Sequence, residues 1–403
     1  MRSDAVTRIS LAVLGGWLTI MPASVLTLAL RMREFDPTGL PTQYSLTLAV
    51  GWLIMIVGLI GFGQLGDVME QRGHSRVVLI RWATPLLPIA GATLMLAPTP
   101  SVLTLAWAFA QVPAAAVLTS ALAISGTAVP MQRRGILSGL IGATSIMALL
   151  LGSVIVRLLQ SNVAAAFLAP AILGALLVLP LALRTPAPVA HIPHDRRATA
   201  PTARRWASAW MVFTVASFLL SWATSATNSY VVMFIDTVSD ISSDAVAGFS
   251  TGAVIAATVA AVTTSVIGGS LLRGRRSAAA IWVIAAITVA VALVALLVFP
   301  TSAGIFTAAI AFGAGFGLAN GVELGLLLFV RHEPGRLGRD LGTFTAVTSA
   351  PYVLVPATAT LFLAADVADG LRQMFALAAL LAVVGAALTT GVALTTSRRT
   401  SGP

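Results

Sequence analysis

Gly61–Arg76 reads GFGQLGDVMEQRGHSR, a polar stretch between two long apolar runs. Asp67 closes the first run, and Arg72, Gly73 and Arg76 precede the second. A carboxylate beside a hydrocarbon span costs free energy unless a cation or a helix N-terminus compensates it. The stretch is therefore expected to be a loop that works as a conformational device. Gly268–Arg276, GGSLLRGRR, echoes it faintly between two later apolar runs, with Leu272 in the place of Asp67. The chain reads as two copies of one helical unit.

Apolar residues make up 58% of the 403, charged ones only 9%, and the mean hydropathy is +0.95. That composition lies far outside the range of soluble globules and predicts an all-α polytopic membrane protein. The net charge of +10 comes from arginine alone, and the arginines sit in short loops between apolar runs. This is the pattern of membrane topology, not of a nucleic-acid surface. With no cysteine, disulfides, thiolate metal sites and cysteine nucleophiles are excluded. His74, His191, His194 and His332 all fall in expected loops, which argues against a histidine proton relay or an intramembrane metal site. No cofactor is expected.

A span needs about 20 residues to cross the hydrocarbon. Runs of that length lie at 9–30, 43–63, 77–96, 102–128, 137–159, 163–183, 208–234, 246–271, 278–298, 304–330, 341–364 and 371–394. The first is too long for a signal core and lacks a small-x-small cleavage site, so it reads as a retained span. With both termini in the cytoplasm, only Arg31, Arg33, Arg157 and Arg372 of the 24 arginines fall at outer ends. This bias supports twelve spans over eleven or thirteen. The stretch 184–207 is rich in Pro, Ala and Arg and reads as a cytoplasmic linker between a six-helix bundle at 1–183 and another at 208–403. Two such halves are the layout of a transporter with its site at their interface.

Gly63, Asp67, Arg72, Gly73 and Arg76 resemble the signature loop of the major facilitator superfamily. Pro130–Gly142 (PMQRRGILSGLIG) and Glu323–Pro356, with its Gly-Arg-Asp-Leu-Gly loop, resemble the glycoside-pentoside-hexuronide and sucrose-type branch and its actinobacterial relatives. The resemblance implies twelve helices in two pseudo-symmetric bundles working by alternating access. It also implies that Asp67 caps the eleventh span near Leu341–Thr343 and meets Arg133 or Arg134, a lock that stabilises the outward-open state. Leu272 makes the lock one-sided. Two departures count against a drug/proton antiporter: Ala108 stands where those proteins carry an Arg, and the fifth span has no Pro.

Glu323 is the only acidic residue well inside an expected span, roughly 12 Å from the helix end at about 1.5 Å per residue. It is a candidate proton-coupling carboxyl; a structural ion pair with Arg81 or Arg157 is the alternative. Asn320 lies on the same face, placed to donate to the carboxylate or to a solute. Ser221, Ser225 and Asn228 form a polar stripe on the seventh span, flanked by Trp222. In the fold the resemblance implies, the first, fourth and seventh spans line the cavity. Trp17, Trp107 and Trp222 would then offer ring faces to a solute, and Gln111 a polar contact. Helix packing is the competing account of each of these side chains. Gly313, Gly315 and Gly317 mimic a nucleotide fingerprint, but no strand precedes them, so they are read as packing residues.

The expected function is proton-coupled symport of a neutral solute, a sugar or glycoside first, and not an enzymatic activity. Export of an amphipathic compound and a non-transporting assembly factor on the same fold are the alternatives. The partners expected are a small solute, protons and the lipid bilayer, with no nucleic acid, for a monomer in the plasma membrane.

Overall fold

The computed structural model describes residues 3–35, 40–130, 133–159, 162–184, 200–330, 337–363 and 366–395. Among them there is no β-strand, and twelve helical segments are long and apolar enough to cross a membrane. In chain order the spans are Asp4–Thr27, Leu46–Gln71, Val77–Leu96, Pro100–Ala128, Arg134–Leu158, Ala165–Leu183, Ala209–Val238, Gly252–Ser270, Arg275–Val298, Ser302–Phe329, Leu337–Leu363 and Val367–Gly391. All twelve correspond to the apolar runs.

Four spans depart from the expected outline, and in one of them, span 7, the helix starts at Ala200, inside the stretch 184–207 expected to be a linker. The helix of span 2 runs over Leu40–Gln71, so Gly63 and Asp67 lie on a helix and not in a loop. A helix can continue past the hydrocarbon boundary on polar residues, and here it ends only at a turn built for the purpose. His74 N–H donates to the Met69 carbonyl at 2.8 Å, and Gly73 N–H to the Glu70 carbonyl at 3.0 Å. With Gly73 at φ +80°, these two bonds make a Schellman cap. Span 1 passes into a π-helix at Ala23–Thr27 directly after Pro22. Tyr44 donates to the Ser24 carbonyl in that segment at 2.6 Å. Span 11 is two helices, Leu337–Ser349 and Pro351–Leu363, because Pro351 has no N–H to continue the ladder.

The chain divides into two compact units, residues 1–133, 144–194 and 333–353 in the first, 134–143, 195–332 and 354–403 in the second. In the first unit, span 2 packs on span 4 and on the helix Leu337–Ser349, and spans 1 and 3 each pack on both span 4 and span 6. Spans 1 and 6 cross backbone to backbone: a methyl at Gly174 would come within 2.6 Å of the Gly15 carbonyl oxygen. In the second unit, span 10 packs between spans 8 and 9, and span 12 against spans 7 and 9. Gly313 and Gly317 let span 10 close onto Ala257 and Ala261 of span 8, and a methyl at Gly315 would lie 2.8 Å from the Ala285 carbonyl of span 9. The three glycines are packing residues.

Candidate functional site

In the first unit Asp67 is 5% exposed and accepts three donors. Gly338 N–H reaches its Oδ1 at 2.9 Å and Arg339 N–H its Oδ2 at 2.8 Å. Arg76 Nη2 donates to Oδ1. The first N–H groups of a helix have no partner within it and carry its positive end. Asp67 therefore caps the helix that starts at Leu337, from 271 residues away in the chain for Gly338. The N-terminus of span 11 is the expected partner, at Gly338 and Arg339 and not at 341–343.

The arginine on Asp67 is Arg76, where Arg133 or Arg134 was expected. The Gly73 turn is short enough to bring Arg76 back beside the carboxylate, and its Nε also meets Glu70 Oε1 at 2.7 Å. Arg76 is 2% exposed. Arg72 and Arg133 are exposed, and Arg134 is half-buried at the start of span 5. Glycine makes the approach possible: a methyl at Gly63 would strike the Gly338 carbonyl and one at Gly342 the Leu59 carbonyl, while Gly61 has open space around it. Gly63→Ala is thus expected to lower thermal stability by about 1–3 kcal/mol. Gly61→Ala, two residues earlier, should leave the melting temperature level or slightly raised.

In the second unit Glu323 lies half-buried inside span 10, among residues that are mostly apolar and buried. It forms no ion pair among the described residues. Arg81 donates its Nε to the Ala182 carbonyl at 2.8 Å and Arg157 is exposed, so each has a setting of its own. Ser217 of span 7 faces the carboxyl. Its Oγ is buried without a hydrogen bond of normal geometry. Asn320 commits an N–H to the Phe316 carbonyl at 2.8 Å, on its own helix, and not to Glu323.

Two serines absent from the sequence-based set tie span 5 to its neighbours, Ser138 to span 10 beside Glu323 and Ser265 to span 8. Gly325 N–H donates to Ser138 Oγ at 3.0 Å, and Ser265 Oγ donates to the Gly139 carbonyl at 2.9 Å. The start of span 5, with Gly142 against the backbone of Asn320, is thereby fixed beside Glu323's helix. Leu272 packs its side chain onto Gly135 and Gly325. An apolar contact stands where the first unit has a charged cap.

The other candidates are less uniform. On span 7 Ser221 is half-buried, Trp222 and Ser225 are buried, and Asn228 is exposed, so the expected stripe is open only in part. On span 1 Trp17 is half-buried. Trp107 and Gln111 on span 4 are both 0% exposed. The Trp107 indole fills the notch left by Gly51, and Gln111 Nε2 donates to the Trp107 carbonyl at 3.5 Å. Trp107 Nε1 and Gln111 Oε1 have no partner. Gly16, beside Trp17, packs on Leu118. Gly16 thus meets span 4 about 16 Å along its axis from Trp107, at ~1.5 Å per residue. Among the described residues no ring contact joins Trp17 to Trp107.

Among the described residues, twelve apolar helices, a helix-capping carboxylate at the end of one and a carboxyl without an ion pair inside another define a multi-pass membrane protein. The Major Facilitator Superfamily profile matches residues 9–356, and the chain belongs to that family. The proton:xylose symporter XylE aligns with a TM-score of 0.72 and 15% identity, over 97% of this chain and 96% of that one. The fucose:proton symporter FucP of E. coli gives 0.67 and 14%, over 96% and 98%. The human organic anion transporter MFSD10 gives 0.70 and 13%, over 96% and 99%. At these identities the likeness is one of fold. Comparison with curated proteins found no match.

Proposed function

We propose that the chain carries a neutral or weakly polar small solute by alternating access, as a symporter in which a proton bound at Glu323 is the coupling ion and a sugar or glycoside the cargo. Glu323 carries this reading. A carboxyl at membrane depth with no cation beside it is most stable when it holds a proton, and losing that proton to one side is a coupling step. The polar groups nearest it are a hydroxyl and an amide, Ser217 across from it and Asn320 one turn away on its own helix, which suit a solute rich in hydroxyl groups. Two of the compared structures are described as proton:sugar symporters, in keeping with this reading. A third with the same fold is described as an organic anion transporter, so the fold alone does not choose the cargo.

In this reading residues 1–183 and 208–403 are the two moving bundles, 184–207 links them, and both termini lie on the cytoplasmic side of a plasma membrane. The protein works as a monomer. Asp67, with Arg76 and Glu70, holds the inner end of span 11 in one state and releases it in the other; Gly63, Arg72, Gly73, Arg133 and Arg134 shape the ends of the helices involved.

Thermal unfolding of the purified protein against neutral sugars, glycosides and amphipathic aromatics tests the cargo. A ligand selective for the folded state stabilises it by about 2.7 kcal/mol at a hundredfold excess over its Kd. Stabilisation by sugars or glycosides is expected. Stabilisation by amphipaths alone would replace uptake of a sugar with export of an amphipath.

A further inference from the structure

A groove of about 570 Å³ runs between spans 3 and 6 of the first unit. Its walls are apolar, with Pro85 and Pro88 on span 3 and Ile172, Ala175, Leu176 and Leu179 on span 6. A proline has no N–H for the carbonyl four residues before it and packs as a compact ring. Ala175 is small for the same effect on the facing wall. One charged side chain lines the groove, Arg81. It is exposed, and its Nε is pinned to the Ala182 carbonyl at 2.8 Å.

That carbonyl belongs to the last turn of span 6, where helix acceptors lack intrahelical partners and attract cations. The guanidinium is therefore fixed at one end of an apolar trough by a single N–H. Its two Nη groups make no hydrogen bond or ion pair among the described residues. Arg184, one residue past Leu183 of the groove wall, is also exposed. Trp82, next to Arg81, is 51% exposed, as suits an aromatic at the membrane interface. Among the described residues no carboxylate lines the groove. A long apolar trough closed at one end by an unshared guanidinium matches one class of molecule that a membrane supplies in quantity.

We propose that the groove is a binding site for an anionic phospholipid, with an acyl chain along the Pro85–Ala175 walls and the phosphate on the Nη groups of Arg81. Arg184 adds positive charge at the same end and favours a lipid of net negative charge over a zwitterionic one. The lipid belongs to the leaflet on the side of the Gly73 turn, which is the cytoplasmic one under the proposed topology. The site is independent of the transport reading, since it uses none of the residues assigned to cargo or proton.

Native mass spectrometry of the full chain tests it, from micelles doped equally with phosphatidylglycerol and phosphatidylcholine of the same acyl chains. Each arginine near the surface is worth about a fivefold preference for the anionic lipid, so retained phosphatidylglycerol should exceed phosphatidylcholine at least by about that factor. Arg81→Gln should bring the ratio down by about fivefold, and Arg81→Lys should keep most of it. Ala175→Trp, which fills the trough and leaves the charge in place, should remove retained lipid of both kinds. Because each ratio is taken within one variant, a general loss of stability cancels. Equal retention by the parent, or a preference that Arg81→Gln leaves undiminished, would overturn the site. So would inorganic phosphate that raises the melting temperature as far as phosphatidylglycerol does, since the anion would then bind without its chains.

Discussion

Glu323→Gln should abolish accumulation of the cargo by energised vesicles while leaving exchange of labelled for unlabelled solute in place. The substitution keeps the size of the side chain and its capacity to hydrogen-bond with Ser217, so the packing of span 10 on spans 8 and 9 has no reason to change. What it removes is the exchangeable proton. One proton moved through 100 mV is worth about 2.3 kcal/mol, a concentration ratio of about fiftyfold for a solute carried with it one to one. Without coupling the ratio falls to about one, because the carrier only equilibrates the solute. The measurement is the steady-state ratio of inside to outside solute with an imposed pH gradient, beside counterflow in its absence. If the ratio stays near its parental value, Glu323 is not the coupling group. If parental vesicles show neither uptake nor counterflow for any solute that stabilises the protein, the transport reading itself fails.

The twelve spans were legible because hydrocarbon demands long apolar runs, and no other feature of a chain produces them. The boundary at Asp67 was not. Polar residues from Gln64 to Gln71 look like a loop to any reading based on apolarity, yet a helix that has left the hydrocarbon bears them without cost. The Gly73 turn beyond it then carries Arg76 back to Asp67, a contact between residues nine apart that spacing alone does not reveal. Trp107 shows the opposite limit. A tryptophan away from the interface reads as a ring for stacking, but Gly51, on another span, provides a notch that takes the indole out of reach. The hydroxyls of Ser138, Ser217 and Ser265 were missed for a further reason. Serine is common wherever membrane helices touch, so only the geometry separates Ser138, which bonds the helix of Glu323, Ser217, which faces the carboxyl, and Ser265, which ties span 8 to span 5, from the rest.

Removing Asp67 should have the second large effect, and the geometry says why it exceeds an ordinary cap mutation. An N-cap replaced by alanine costs about 0.5–2 kcal/mol. Here the same carboxylate also neutralises Arg76, which is 2% exposed and would be left with Glu70 alone. Breaking a buried pair by deleting one partner costs about 3–5 kcal/mol, because the remaining charge stays desolvated. The two losses share one carboxylate and do not add in full, so Asp67→Ala is expected to cost about 3–5 kcal/mol in the capped arrangement. Asp67→Asn keeps one acceptor oxygen for the Gly338 or Arg339 N–H and should fall between the two figures.

Within the capped state that energy holds the helix Leu337–Ser349 against span 2, through the close contacts at Gly63 and Gly342. A shift of 3 kcal/mol changes a two-state ratio by more than about a hundredfold. Asp67→Ala should therefore free the first half of span 11, Leu337–Ser349, well before it unfolds the chain. The sequence has no cysteine, so a single one placed at Ala346, 2% exposed on that helix, reports the release without background. Maleimide should label Ala346→Cys slowly in the parent and at least about tenfold faster beside Asp67→Ala, with Asp67→Asn intermediate. Arg76→Gln restores the balance of buried charge in the Asp67→Ala background, so the double variant should recover thermal stability but not slow labelling, since the helix still lacks its cap. Equal labelling rates in the parent and in Asp67→Ala would mean that the Gly63 and Gly342 contacts hold span 11 by themselves, and that the carboxylate serves only to keep Arg76 paired.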